Sequence, residues 1–223
     1  SVRIPESVTS IEGYAFSGCS SLTSVSIPDG VTSIGSSAFS DCSSLTSVSI
    51  PEGVTSLEYQ TFYNCTSLES VTLPESLLSI ADRYNYGVFE NCTSLRSIVI
   101  PDSVTSIGSS AFRGCTSLTS ITIPEGVTSL ENQTFYNCTA LTTVGIPASL
   151  TSIGSYAFDG CRNLKTVYYG GSEAEWKNIS IDSQNYYLTN AEFIYGRTHE
   201  CTLTHLPEKA PTCTENGNHE YYY

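Results

Sequence analysis

Basic residues are scarce. Nine Lys and Arg stand against 22 Asp and Glu, for a formal charge of −13 over 223 residues. Neutralising phosphates takes cations this chain does not have, so nucleic acid and anionic membrane surfaces are excluded as partners. No run of about 18 apolar residues exists, so no membrane insertion is predicted. Histidine is nearly missing: all three lie beyond residue 198, and no earlier Ser or Cys has an imidazole near it in sequence. Without that base, and without a G-x-S-x-G elbow or a Gly-rich phosphate loop, the residues point to no enzyme and no cofactor. Methionine is absent even at residue 1, and Ser1–Pro5 (SVRIP) matches Ser24–Pro28 (SVSIP). Both features predict a piece of a longer protein that begins inside a structural unit.

Cysteine, by contrast, is regular. Cys19, Cys42, Cys65, Cys92, Cys115, Cys138 and Cys161 are 23 residues apart, save one step of 27. Each follows a phenylalanine by three residues: Phe16, Phe39, Phe62, Phe89, Phe112, Phe135 and Phe158. A fixed period of this length means stacked supersecondary units, a solenoid. Within one unit, Leu22, Val25 and Ile27 alternate as a strand with one buried face. Pro28-Asp29-Gly30 is a turn, and Val31 and Ile34 return inward. Ser36–Phe39 is predicted as a short helical or turn segment that delivers Ala38, Phe39 and Cys42 to the core. The expected fold is a right-handed repeat solenoid of mainly short parallel β-strands with turns and short helical segments. Seven units at the strand spacing make a rod about 34 Å long. No unit can bury its apolar face alone, so each needs its neighbours. Stacked cysteines point in parallel, not toward each other. They are therefore read as buried free thiols acting as small hydrophobes, with no metal and no bridges.

The unit resembles the BspA-like leucine-rich-repeat family of bacterial surface proteins. The likeness rests on the A-F-x-x-C-x-x-L blocks at Ala15–Leu22, Ala38–Leu45, Ala111–Leu118 and Ala157–Leu164, with I-P-x-x-V-x-x-I links between them. Variant blocks place Thr61, Val88 or Thr134 where Ala15 stands in the first. The resemblance implies a leucine-rich-repeat coil and a secreted or wall-attached bacterial protein used in adhesion or binding. A second symmetry lies above the first: residues 50–64 nearly recur at 123–137, as though three units were copied together.

Three surface features are candidates for function. Outward strand positions, among them Ser47, Ser49, Ser70, Thr72, Ser120 and Thr122, form a lattice of hydroxyls that is either a solvated sheet or a binding face. The four extra residues of the fourth unit fall in Ala81–Gly87, where Arg83, Tyr84 and Tyr86 are of types enriched at interfaces. Tyr59, Tyr63 and Tyr136 lie on nearby units. That segment is either a contact site or a tolerated insertion. Glu6, Asp29, Glu52, Glu75, Asp102 and Glu125 repeat behind the turn prolines. A single file of carboxylates does not converge on a calcium ion, so they are read as solvated. Asn64, Asn91 and Asn137 match N-x-[S/T] as by-products of the repeat and are read as structural turn residues.

Past Tyr169 the repeat dissolves. The predicted organisation is a solenoid over 1–169, a cap over 170–196, and a partial extension or start of a further module over 197–223. Ser172 with Glu175 reads as a capping box, Trp176 as core. Ile179, Ile181, Leu188, Phe193 and Ile194 read as closing strands. His199, Cys201, His205, Cys213 and His219 leave zinc, a Cys201–Cys213 disulfide, or neither open; Lys209–Asn218 resembles a small module that follows such arrays in gut bacteria. The expected role is an extracellular binding or adhesion module recognising a host or bacterial surface protein or glycan. The alternative is end-to-end assembly with itself into a fibre or surface layer.

Overall fold

The structure is a computed structural model that describes residues 1–81 and 86–196. Two columns of short parallel strands run its length. The first holds Val2–Arg3, Val25–Ser26, Ser47–Ser49, Ser70–Thr72, Ser120–Thr122, Thr143–Ile146, Thr166–Tyr169 and Glu192–Tyr195. The second holds Ser10–Ile11, Ser33–Ile34, Ser56–Leu57, Ser79–Ile80, Ser106–Ile107, Ser129–Leu130, Ser152–Ile153 and Ser180–Ile181. Pairing is parallel and in register, with Ser47 on Ser70, Val48 on Val71 and Ser49 on Thr72. A one-residue slip would expose the valines, so the alternation itself fixes the register. Between the columns each coil turns at its proline: Val31, Val54, Val104 and Val127 each donate back to the Pro carbonyl three residues earlier. The first column is interrupted at Ser97 and Val99, which form no strand, in the coil that carries the insertion.

The segment around each Phe is not helical, which corrects the sequence expectation for Ser36–Phe39. Ala38, Ser40 and Cys42 donate to carbonyls three residues back, closing successive turns, while Ser37, Phe39 and Asp41 donate to Tyr59, Thr61 and Tyr63 in the next coil. Alternate N–H groups thus leave the coil, and none remain to build an i to i−4 ladder. The segment is framed by left-handed residues. The position two before Phe has φ of 56–61° at Tyr14, Ser37, Gln60, Ser110, Gln133 and Tyr156. The position two after it, filled by Gly, Asp or Asn, has φ of 56–79°. Asn, Asp and Gly tolerate that region best. Asn64, Asn91 and Asn137 are accordingly turn residues, and the amides of the first two extend the row, Asn64 donating to Asp41 at 3.0 Å and Asn91 to Asn64 at 2.9 Å. In the fourth unit, Gly87 takes the place two before Phe. A Cβ there would lie 1.8 Å from the Ser110 carbonyl oxygen, so no other residue fits.

The core is a set of columns. The Phe rings stack on one another at interplanar angles of 1–26°, centroids 5.2–5.6 Å apart. Main-chain bonds of 2.8–3.0 Å from each Phe N–H, Phe16 to Phe135, to the following coil hold this column together. The first coil departs from the expected ladder: Phe16 is only half-buried and Cys19 is exposed, whereas Phe39 and Cys42 onward are fully enclosed. The cysteines are more than small hydrophobes. Each thiol from Cys42 to Cys161 donates to the carbonyl of the Phe in the preceding coil, Cys42 to Phe16 through Cys161 to Phe135, at 3.1–3.2 Å.

The chain past Tyr169 forms an eighth, modified coil. Thr166–Tyr169 pairs with Glu192–Tyr195, and Ser152–Ile153 with Ser180–Ile181, so both ladders continue into it. The capping box at Ser172 and Glu175 is present and opens the one-turn helix Glu173–Trp176. Trp176 packs on Tyr169 and Phe193, centroids 5.1 and 4.6 Å away. Leu188 is not in a strand, as the sequence suggested, but in the short helix Tyr186–Thr189, where its buried side chain meets the core. The decisive residue is Asn185. In earlier coils the Phe N–H donates to a main-chain carbonyl of the following coil; for Phe158 that acceptor is the Asn185 side-chain oxygen, at 3.0 Å. The Asn185 amide also donates to Gly154 and Asp182 carbonyls, each at 3.0 Å. One buried side chain imitates a peptide group and ends the ladder. Asn185→Ala is therefore expected to destabilise the protein by about 2–3 kcal/mol, because buried groups lose their partners. Urea denaturation reads this directly, and an unchanged midpoint would mean that solvent already serves those groups.

Candidate binding surface

The first candidate is the outward face of the first strand column. Valine and isoleucine at alternate positions face the core, which sends the hydroxyls to the other side. Ser47, Ser49, Ser70 and Thr72 are exposed and lie on one another through the register. Ser120 and Thr122 belong to a separate sheet, half-buried, opposite Thr143 and Gly145. The structure therefore brings the six predicted residues onto one face but in two groups, divided at Ser97 and the exposed Val99. Threonines beside this face are already employed. Thr66, Thr93, Thr116 and Thr139 donate to carbonyls one coil earlier at 3.1–3.4 Å, so these hydroxyls bind the array to itself.

The second candidate is the turn edge that carries the Phe segments. Arg83 and Tyr84 lie outside the described residues, as do the five His and Cys between 199 and 219. Tyr86 is 47% exposed and meets the edge of Tyr63, centroids 6.4 Å apart. Beside them, the position after Phe is filled in successive coils by Tyr63, Glu90, Arg113 and Tyr136. Stacking turns this column into a cluster. The Arg113 guanidinium stands 3.6 Å from the Glu90 carboxylate, donates to the Gln133 side chain at 3.3 Å, and lies 5.3 Å from the Tyr136 ring centre. Glu90 is buried and accepts from the Gly87 N–H at 3.3 Å. Burial pushes its carboxyl above the ordinary glutamate range, while the Gly87 amide and Arg113 hold it down. This cluster was missed in the sequence, although its signal was there: the position after Phe holds Ser, Tyr, Glu, Arg or Asp across the seven units.

The thiols offer little chemistry. Burial, reinforced by the neighbouring thiol of the column, pushes Cys42 up to about 11; burial pushes Cys161 up to about 12 and raises the four between them. A thiol held protonated is neither nucleophile nor metal ligand. Among the described residues no three His, Cys, Asp or Glu side chains gather where a metal ion would sit, and no helix is long and apolar enough to cross a membrane. The acidic turn residues are exposed and in single file.

Comparison with known proteins agrees with this architecture. Residues 1–87 and 83–194 match the family described as BspA type leucine rich repeat region, in six copies. A leucine-rich repeat protein of T. pallidum is 35% identical, the match covering 73% of this chain and 77% of that one, with a TM-score of 0.67. The pneumococcal vaccine antigen PcpA shares the fold at 19% identity and a TM-score of 0.53, the match covering 88% of this chain and 44% of that protein. A leucine-rich cell surface protein of Faecalibacterium prausnitzii is 28% identical over 82% of each chain, with a TM-score of 0.38. No curated protein matches. Phe-Cys blocks stacked in register, six family repeats, and a relative 35% identical over most of both chains lead to one assignment: this chain belongs to the BspA-type leucine-rich-repeat family.

Proposed function

We propose that this chain is a non-enzymatic binding module of a bacterial surface or secreted protein, and that it engages a surface protein or glycan through the turn edge of the solenoid. One observation carries the placement. All seven tyrosines before residue 166 fall at the turn edge or in the insertion beside it. The strand face has none before Tyr168. Tyrosine brings contact area with little entropy loss, and with arginine it dominates interface hot spots. Structural need does not explain them, since other units put Ser or Gly at the same places: Ser36 and Ser109 stand where Tyr59 and Tyr86 do, and Ser40 where Tyr63 does. The four inserted residues fall beside Tyr86 in the sequence, in the unit that follows Tyr59 and Tyr63.

The rival reading, end-to-end assembly, meets an obstacle at the cap. There Asn185 satisfies the ladder groups of the last regular coil, and Trp176 and Phe193 pack beside Tyr169. A second copy would have to stack on this eighth coil, where Tyr186 and Thr189 stand in place of the Phe and Cys of the regular coils.

The test is binding of the full chain to arrayed host-matrix proteins, bacterial surface proteins and glycans. Tyr63→Ala/Tyr86→Ala is compared with Ser49→Ala/Thr72→Ala on the strand face. The tyrosine pair is expected to weaken binding about tenfold or more, the hydroxyl pair to leave it nearly unchanged. The opposite ranking would move the surface to the sheet. Absence of any ligand across the arrays would remove the binding role.

A further inference from the structure

One depression on the turn edge has the lining of a ligand site. It lies between two adjacent coils, has a volume of about 240 Å³, and is formed by Asn132, Gln133, Ser155 and Tyr156. Three of its four walls are amide or hydroxyl groups, and the orientation of both amides is fixed. The Ser155 N–H donates to the Asn132 side-chain oxygen at 2.8 Å. Arg113 donates to the Gln133 side-chain oxygen at 3.3 Å. Backbone N–H and guanidinium groups only donate, so in both amides the oxygen is the engaged atom. Both NH2 groups are left as donors, and neither has a hydrogen-bond partner among the described residues. These two donors, the Ser155 hydroxyl and the Tyr156 ring, 39% exposed, share one cleft.

The same positions continue into the cap. Gln133, Tyr156 and Gln184 occupy equivalent places in three consecutive coils, with φ of 59°, 60° and 64°. Ser183 follows Ser155 in the adjoining column, and its carbonyl accepts the Tyr156 N–H at 3.1 Å. The result is a stripe, amide then phenol then amide, advancing one coil at a time. Coils joined by main-chain hydrogen bonds, Gln133 to Ser155 and Tyr156 to Ser183, advance by about 4.8 Å. An extended chain of β-linked pyranose rings advances by close to this length per sugar, so successive sugars meet successive coils. The cleft is below the usual size for a drug-like ligand and suits a single ring. Charge narrows the class. The Arg113 guanidinium at Gln133 is paired with Glu90, Glu131 precedes Asn132 in sequence, and the chain carries −13 overall, a balance that disfavours acidic sugars and phosphates.

We propose that the stripe over Asn132, Gln133, Ser155, Tyr156 and Gln184 binds an extended, neutral, β-linked glycan lying along the solenoid axis. Asn132 and Gln133 donate to sugar oxygens while Tyr156 packs on a ring face. This rests on the binding-module reading and adds to it a glycan subsite toward the cap, separate from the surface around Tyr63 and Tyr86.

Two substitutions isolate the claim. Asn132→Asp and Gln133→Glu keep the oxygen acceptors for Ser155 and Arg113, so the fold is preserved, but remove both NH2 donors. The full chain is titrated calorimetrically with chitotetraose and cellotetraose, with maltotetraose and a sulfated tetrasaccharide as controls. Wild type is expected to bind one or both extended neutral probes in preference to the controls. N132D/Q133E and Tyr156→Ala should each weaken binding about tenfold or more. No binding of either extended probe, equal binding of the sulfated control, or unchanged affinity in N132D/Q133E would each overturn the glycan proposal. A protein ligand lost on Tyr63→Ala/Tyr86→Ala, with no glycan bound, would leave the module reading standing and remove this inference alone.

Discussion

Alanine at position 112 is expected to destabilise the protein by about 3–5 kcal/mol, the range for deleting a fully enclosed aromatic ring. Phe112 is fully buried and stacks on both Phe89 and Phe135, each 5.5 Å away. Removing it leaves a void the neighbours cannot fill, because their positions are set by the same backbone ladder that runs through every coil. Phe16→Ala provides the contrast. That ring is half-buried and, among the described residues, stacks only on Phe39, so the same chemical deletion should destabilise by less than half as much. The reason lies in the architecture: stability of a stacked array is close to a sum of coil and nearest-neighbour terms, and an interior coil has two neighbours. Urea denaturation of the two variants, followed by circular dichroism, makes the comparison. Equal losses would mean that the ring column is not the unit of cohesion.

Much of this was legible because translation symmetry writes itself into sequence. The 23-residue step placed Phe39 over Phe16 and Cys42 over Cys19, and the alternation of Val25 and Ile27 with serine set the inward face. What could not be read was where the hydrogen bonds go. Ser36–Phe39 has the small polar residues of either a turn or a helix start, and only the loss of alternate N–H groups to the next coil excludes the helix. The thiol bonds were hidden for the same reason. A cysteine three residues after Phe looks like a small apolar residue until the preceding coil brings its Phe carbonyl within 3.1–3.2 Å.

The surface was less legible than the core. The strand hydroxyls were foreseeable from alternation alone, although the break at Ser97 and Val99 was not. Glu90 and Arg113 are 23 residues apart in sequence and become a pair only through stacking. Asn185 was invisible: nothing in Gln184-Asn185-Tyr186 marks an amide that substitutes for a peptide group. Both cases follow one rule. Columns of identical residues announce themselves, whereas contacts between unlike residues in adjacent coils require the register to be known first.

The thiol column makes a stronger prediction, that the protein unfolds in mild alkali. Cys42, Cys65, Cys92, Cys115, Cys138 and Cys161 are fully buried, and burial holds each protonated well above the ordinary thiol value. In the unfolded chain the same groups ionise near pH 8.5. Below that pH both states carry the protons, and the thiols contribute their full stabilisation. Above it the unfolded chain releases protons that the folded chain keeps, so stability falls as pH rises toward the folded values. Each thiol then contributes a loss of about 1.4 kcal/mol per pH unit. Six acting together reach on the order of 8 kcal/mol per unit, comparable with the whole stability of a typical domain. Urea midpoints measured with reductant between pH 7.5 and 10, roughly the window before ordinary tyrosines ionise, should be level at first and then drop steeply. Cys115→Ala should shallow that drop by about 1.4 kcal/mol per pH unit, whatever cavity it leaves, because the slope counts protons and not packing. A midpoint that stayed level to pH 10 would mean that the folded array lets its thiols ionise.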